Sequence, residues 1–394
     1  MTKKPRFNAS MEAANDAEKT QVIKATVTAP KKVAKAPKTN PRDALRLAMR
    51  SKLAPILEKQ GGTVGSADST EELHKPRGYT STGIHGLDIL LSGTNGGLPW
   101  GRFVEVYGAE SSGKSALCEF LMAAVNKAGG IVHHIDTEMT RDDARIRRCY
   151  GITTKDFEDV DAPDLESVWD YAYGVAKVLQ AEESTTPNLL ILDSLAATPA
   201  RDELTEKEHD SSHIGLQAKA NSKGTRKTVR LFAASSCIFI FINQMRDKIG
   251  AMGYGPKTDT PGGRALKYAY SIRLQVARVE SITSGETVVG QLVEITSQKN
   301  KHAPPKMKVR LVLSYKTGID VTASNLLWFR TRGVLKNKGK EWFFDGQNIG
   351  GKANFAKWCE ENTKLVEEAV AAERDEILAE FAGEATEGDG DEDA

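Results

Sequence analysis

The most restrictive feature of the chain is an eight-residue run, Gly108-Ala109-Glu110-Ser111-Ser112-Gly113-Lys114-Ser115. It stands between the β-branched and aromatic FVEVY and the helical pattern ALCEFLMAAV. The spacing is GxxxxGK[ST] with the strand before it and the helix after it that such a loop requires. Two glycines permit a tight turn with its amides facing inward, and the helix N-terminus adds positive potential. Lys114 then reaches β and γ phosphates and Ser115 offers a hydroxyl to Mg²⁺. A chance glycine-rich turn is the competing reading, and the strand-loop-helix context weighs against it. The run therefore predicts a nucleoside triphosphate site in an α/β fold.

Around this loop, short apolar runs alternate with longer helical patterns from about Thr80 to Asp320. FVEVYG, IVHHID, NLLILD and CIFIFIN read as buried strands of a mainly parallel sheet with helices on both faces. SIRLQVARV, VGQLVEITSQK and MKVRLVLSY alternate at period two and predict antiparallel or edge strands. Before the core, Leu45, Met49, Leu53 and Leu57 share one helical stripe, with a break or kink expected at Pro55. After it, aromatic and glycine-rich stretches predict a small α+β unit.

The expected organisation is a disordered basic arm over residues 1–40, an oligomerisation helix and linker over 41–79, and a core over 80–320. A small C-terminal domain follows over 321–380, then an acidic disordered tail over 381–394. The formal charge of +1 hides this polarity, because lysines crowd the first 40 residues and carboxylates the last dozen. Both ends also read simply as solubilising tails. No apolar run approaches the ~20 residues of a membrane span, and the N-terminus lacks the apolar stretch of a secretory signal. Cys118, Cys149, Cys237 and Cys359 stand far apart, which fits reduced thiols in a cytoplasm.

Strand ends supply the remaining chemistry, since open α/β sheets bind ligands beyond the carboxyl ends of their strands. NLLILD ends in Asp193, suited to hold the Mg²⁺ shell. IVHHID ends in Asp136-Thr137-Glu138, where Glu138 is placed to accept a proton from an attacking water. Either carboxylate also reads as an ordinary helix N-cap. A further strand ends in Asn243-Gln244, whose uncharged amide can sense a γ-phosphate.

With STGIHGLDILLSG, GGLPWGRFVEVYGAESSGKSAL, LLILDSLAATP, FINQMRDKIG, PGGRALKYAYSIRL and NKGKEWFFDGQNIGGKANFAKW in this order, the chain resembles the RecA family of recombinases from about Thr80 to Trp358. The resemblance implies a RecA-like P-loop core with an N-terminal helix and a small C-terminal domain. It implies a DNA-dependent ATPase using ATP and Mg²⁺, polymerised as a helical filament on single-stranded DNA, pairing it with homologous duplex and exchanging strands. It also implies service with a single-strand DNA-binding protein or a loader, in the cytoplasm of a bacterium or a phage-infected bacterium.

By the same resemblance Lys114 and Ser115 are the loop lysine and magnesium ligand, Glu138 the base, Asp193 the magnesium-shell acid and Gln244 the γ-phosphate sensor. Lys299 and Lys301 match paired lysines that act on a neighbour's nucleotide; by spacing alone they are a solvated basic strand end. Two segments match DNA-binding loops, Glu206 to Gly215 with Ile214, and Arg246 to Gly263 with Arg246, Lys248, Ile249, Gly262 and Gly263. The second reads otherwise as a structureless mobile loop of 18 residues. The chain departs from the family where Arg145 falls at or beside an adenine-stacking tyrosine. A ring-forming motor on the same core and an ATP-binding DNA scaffold without turnover are the alternative functions.

Overall fold

The computed structural model describes residues 41–59, 62–63, 74–205, 215–247 and 258–388. The basic arm, Ile214, Lys248, Ile249 and residues 389–394 lie outside the described residues. The chain divides into two units, Met1–Ser69 and Thr70–Ala394.

In the first unit a helix runs Pro41–Glu58 and continues through Pro55, so the expected break does not occur. Proline forfeits a single amide bond there, and the leucines, alanines, methionine and lysine before it are strong helix formers. The amide of Gly62 closes the end on the Leu57 carbonyl at 2.8 Å. Leu45, Leu47, Met49, Leu53 and Ile56 are all exposed.

The second unit is built on strands β1 (Tyr79–Thr80), β2 (Leu98–Pro99), β3 (Phe103–Gly108), β4 (Ile131–Asp136), β5 (Glu158–Asp159), β6 (Asn188–Asp193) and β7 (Cys237–Gln244). They are followed by β8 (Arg246–Asp247), β9 (Thr258–Asp259), β10 (Ile272–Ser284), β11 (Thr287–Asn300), β12 (Lys308–Ser314) and β13 (Gly318–Asp320). The large sheet has the order β13-β12-β11-β10-β3-β7-β6-β4-β5. Pairs from β10 to β5 are parallel and those from β10 to β13 antiparallel, as the two kinds of strand pattern predict.

Both faces are covered, so central strands are largely apolar, and period two sorts their residues by face. Along β7, Ile238, Ile240 and Ile242 join an aliphatic core with Val104, Val106, Leu117 and Leu121. Phe239 and Phe241 join an aromatic core with Phe103, Trp169 and Phe232 on the other face. The carboxyl ends of β3, β4, β6 and β7 consequently meet along one edge of a rigid platform.

After β13 comes a helix, Val321–Arg332, capped by Asp320, whose carboxylate accepts from the Ala323 amide at 2.8 Å. Then β14 (Leu335–Lys338), β15 (Glu341–Phe344) and β16 (Gln347–Gly350) form a three-stranded antiparallel sheet. Its Phe344 and Phe329 of the preceding helix belong to the same hydrophobic core as Val104, so this α+β part shares a core with the large sheet.

The last helix spans Thr363–Gly388 and corrects the expectation of a disordered tail from 381. Alanine and glutamate favour helix, and Val366, Val370 and Ile377 anchor it in the core. Arg332 adds ion pairs to Glu373 at 2.6 Å and to Glu376 and Glu380 at 3.5 Å. These carboxylates are therefore partly neutralised from outside their own helix. No helix among the described residues is long and apolar enough to cross a membrane.

Candidate active site

The loop of residues 108–115 begins where β3 passes close to its neighbour. A Cβ on Gly108 would lie 2.2 Å from the Val276 carbonyl oxygen, so only glycine fits. Ser111 (φ 54°) and Gly113 (φ 101°) are left-handed, the conformation that turns successive amides into one concavity able to hold an anion. The buried Ser112 hydroxyl has no hydrogen-bond partner within the protein. Lys114, first residue of the helix Lys114–Lys127, folds its ammonium over the loop, donating to the Gly108 carbonyl at 3.2 Å and the Ala109 carbonyl at 2.8 Å. Burial lowers its pKa against the opposing pull of Asp193 and Glu138.

Next to it, the Ser115 hydroxyl donates to Asp193 at 3.4 Å. Asp193 ends β6, and burial first, then the nearby Glu138 and Asp136 carboxylates, push its pKa up to about 6. Crowded carboxylates beside a phosphate loop favour a cation between them. Among the described residues no group of three or more His, Cys, Asp or Glu could hold a metal. Ser115 and Asp193 are the residues that would hold a Mg²⁺ ion here.

Glu138 lies just past β4, where the Asp136 carboxylate shapes the turn by accepting from the amides of Glu138 (3.1 Å), Thr140 (3.0 Å) and Arg141 (3.0 Å). The Glu138 carboxylate accepts from the Ser194 hydroxyl and from the Gln244 amide at 3.2 Å. Thus four strand tips, β3, β4, β6 and β7, bring Lys114, Ser115, Glu138, Asp193 and Gln244 together. Sequence reasoning misses the parts of Ser194 and Asp136. Their only signal is adjacency to the strand-end acids.

Lys299 and Lys301 do not join this group in the same chain. Lys299 donates to the carbonyls of Lys267 (2.8 Å) and Tyr268 (3.0 Å), and Lys301 to that of Tyr268 at 3.3 Å. Both neutralise the carbonyl end of the short helix Arg264–Ala269. Burial, then Lys301 and Arg273, lower the Lys299 pKa to about 8. Lys301 lines a different cleft, with Arg102, Phe103 and His302.

Of the second candidate DNA segment, the ends are ordered rather than structureless, because β8 and β9 pair as a two-stranded ribbon, Arg246 opposite Asp259. Arg246 is exposed. Gly262 (φ 105°) and Gly263 (φ 87°) are required by the turn and by packing, since a Cβ on either would meet Leu195 or Ala218 at 2.7 Å. Of the first segment, Gly215 is described and precedes the helix Leu216–Ala233.

The family model for the RecA N-terminal domain matches residues 55–320. This chain belongs to the RecA family. Protein RecA of Marinobacter nauticus is 36% identical over 299 residues, 76% of this chain and 83% of that protein. Protein RecA of Rhodospirillum centenum is 39% identical over 292 residues, 74% and 78% of the two chains. That of Nocardia farcinica is 36% identical over 335 residues, 84% and 92%. Membership makes this a RecA-type recombinase, of a family that acts in DNA recombination and repair and binds ATP and DNA. The relatives are bacterial proteins, and the expected setting in a phage-infected cell gains no support from them.

Beside the phosphate loop of this RecA-family chain lies a cavity of about 270 Å³ lined by Lys114, Glu119, Arg145, Tyr150 and Tyr315. Arg145 pairs with Glu119. Burial pushes the Glu119 pKa up to about 7, with Arg145 drawing it down. The Tyr150 hydroxyl donates to the Ala116 carbonyl at 3.3 Å and accepts from the Ile319 amide at 3.1 Å. Sequence reasoning misses Glu119 too, although a carboxylate inside ALCEFLMAAV is a visible anomaly.

Proposed function

We propose that this RecA-type recombinase hydrolyses ATP in a DNA-dependent manner while polymerised as a helical filament on single-stranded DNA, and that it pairs that strand with a homologous duplex and exchanges strands. One observation carries the reading: Glu138 and Gln244, 106 positions apart in sequence, share a 3.2 Å hydrogen bond at the strand edge that also presents Lys114 and the Ser115–Asp193 pair.

On this reading the amides of the 108–115 loop and the Lys114 ammonium bind the β and γ phosphates. Ser115 and Asp193 would hold Mg²⁺, which would supply charge neutralisation at those phosphates. Glu138 takes the proton of the attacking water, oriented by Ser194 and Gln244. Gln244 also stands at the root of the segment that begins at Arg246, so a change at the γ-phosphate reaches the DNA-binding segment directly. Arg246, Lys248, Ile249, Gly262, Gly263 and Ile214 contact single-stranded DNA. Lys299 and Lys301 act on the nucleotide of a neighbouring copy, where added cations stabilise transition-state charge.

Electron microscopy of the protein with single-stranded DNA and a slowly hydrolysed ATP analogue tests the assembly. Helical filaments are expected, whereas closed rings overturn the recombinase mechanism in favour of a ring-forming motor.

A further inference from the structure

Glu105 is out of place in FVEVYG. It is a carboxylate with no exposure, in the middle of the parallel sheet. Burying a charge is costly unless it is paired and hydrogen-bonded, and a buried ion pair is a poor route to stability alone. Its two oxygens are both engaged. One accepts from the Asn243 side-chain amide at 2.9 Å and the other from the Arg273 guanidinium.

Each partner reaches onward to the same place. The Asn243 amide also donates to the Pro261 carbonyl at 3.0 Å, and Arg273 donates to the Thr260 hydroxyl at 3.1 Å. Both arms of one buried carboxylate thus grip the returning stem of the segment that leaves the sheet after Gln244. The outgoing stem is tied in as well. Asn243 accepts from the Gln244 amide at 3.0 Å, and Gln244 bonds Glu138. Across the sheet, Glu105 pairs in register with Arg273 on β10, and Arg273 stands opposite Lys299 on β11. Lys299 rests on the Lys267 carbonyl, and Lys267 pairs with Asp259, the residue opposite Arg246. A polar rib therefore crosses strands β7, β3, β10 and β11 from Gln244 to Lys299, with Glu105 at its centre.

We infer that Glu105 is a positioning residue that, through Asn243 and Arg273, holds Gln244, the stem at residues 258–263 and Lys299 as one unit and so couples nucleotide binding to DNA binding. This rests on the roles of Gln244 and the 246–263 segment in the proposed function. Glu105 touches neither ligand. Its contribution lies in the mutual effect of the two ligands, which is a single coupling factor whichever ligand is added first.

The test compares the full-length protein with its Glu105→Gln and Thr260→Val variants. The affinity of a fluorescent oligothymidylate is measured with and without Mg²⁺ and a slowly hydrolysed ATP analogue. The ratio of the two affinities is the coupling factor. Glu105→Gln is expected to cut that factor by about tenfold, within the usual range of such couplings, while its affinity for a fluorescent ATP analogue without DNA stays within about threefold of wild type. Thr260→Val, which removes one arm and leaves the buried carboxylate paired, is expected to cut the factor by about threefold. A merely structural role would lower the melting temperature and leave the ratio alone.

A folded Glu105→Gln protein with wild-type coupling overturns the inference. If that variant does not fold, Thr260→Val decides, and full coupling there overturns it equally. Wild-type protein whose DNA affinity ignores the nucleotide would sink the proposed function itself, which separates the two failures.

Discussion

The edge formed by the tips of β3, β4, β6 and β7 and the basic end of β11 differ in one respect that matters for catalysis. At the strand tips, Lys114, Ser115, Asp193, Glu138 and Gln244 are gathered within one chain. At the end of β11, Lys299 and Lys301 are just as fixed, but they spend their protons on carbonyls of the chain's own helix. The first region is a site that needs a ligand; the second is an ordered cation pair with no substrate group of its own chain. On the proposed function, such a pair gains a catalytic task when another copy brings a nucleotide to it. The exposed leucines and methionine of Pro41–Glu58 likewise have no cover among the described residues of their unit.

The sharpest way to break this contrast is at the strand tips. Lys114→Ala is expected to abolish ATP hydrolysis, with turnover down by about three orders of magnitude or more, because charge stabilisation at the β and γ phosphates is removed. Glu138→Gln is expected to retain ATP and DNA binding and lose turnover. Steady-state phosphate release beside equilibrium binding of a fluorescent nucleotide reads both, and normal turnover in Glu138→Gln removes Glu138 as the base.

The β11 lysines allow a complementation test. The Lys299→Ala/Lys301→Ala protein and the Lys114→Ala protein are each expected to be inactive, the former by about 10³-fold or more if the lysines act as trans cations. Mixed, they form interfaces that join an intact loop to intact lysines, so part of the activity returns. A mixture that co-assembles yet stays inactive assigns the lysines to their own chain.

A smaller effect is expected at Arg246. Arg246→Ala weakens binding of single-stranded DNA of any sequence and flattens the log-log salt dependence by about 0.7 for each phosphate that is no longer neutralised. A slope and affinity equal to wild type would move the DNA-binding surface away from the β8–β9 ribbon.

The smallest effect concerns the cavity wall at Glu119. The folded carboxyl keeps its proton up to about pH 7, against an ordinary value of 4.5, so the folded state binds the extra proton between these values. Stability from this group is present at low pH and is lost as pH rises through that window, by about 2 kcal/mol between about pH 5 and pH 8. Glu119→Gln removes the dependence. Denaturant unfolding at several pH values is expected to show wild type losing ground to the variant as pH rises, and parallel curves for the two would refute the assignment.

The sequence by itself determined the phosphate loop, the seven longest strands and their division into parallel and antiparallel sets, because each is written in contiguous residues. Gly113 answers to local backbone geometry and period two to the pleat, whereas Gly108 also answers to the close approach of the Val276 carbonyl on β10. RecA-family membership was legible for the same reason, through several short motifs in a fixed order. Pro55 and the residues from 381 were not legible in this way. The proline alone does not show that the helix formers before it carry the helix through, and the charge of the last residues does not show the core positions of Val370 and Ile377 or the ion pairs of Arg332 that hold the last helix.

What only the tertiary structure decided is which distant residues meet. Glu138 finds Ser194 and Gln244, 56 and 106 positions away along the chain, and Glu105 finds Asn243 and Arg273, 138 and 168 positions away. Sheet order and register place their strands side by side. That order follows from burial of two apolar faces at once, a property of the whole chain that no window of sequence contains.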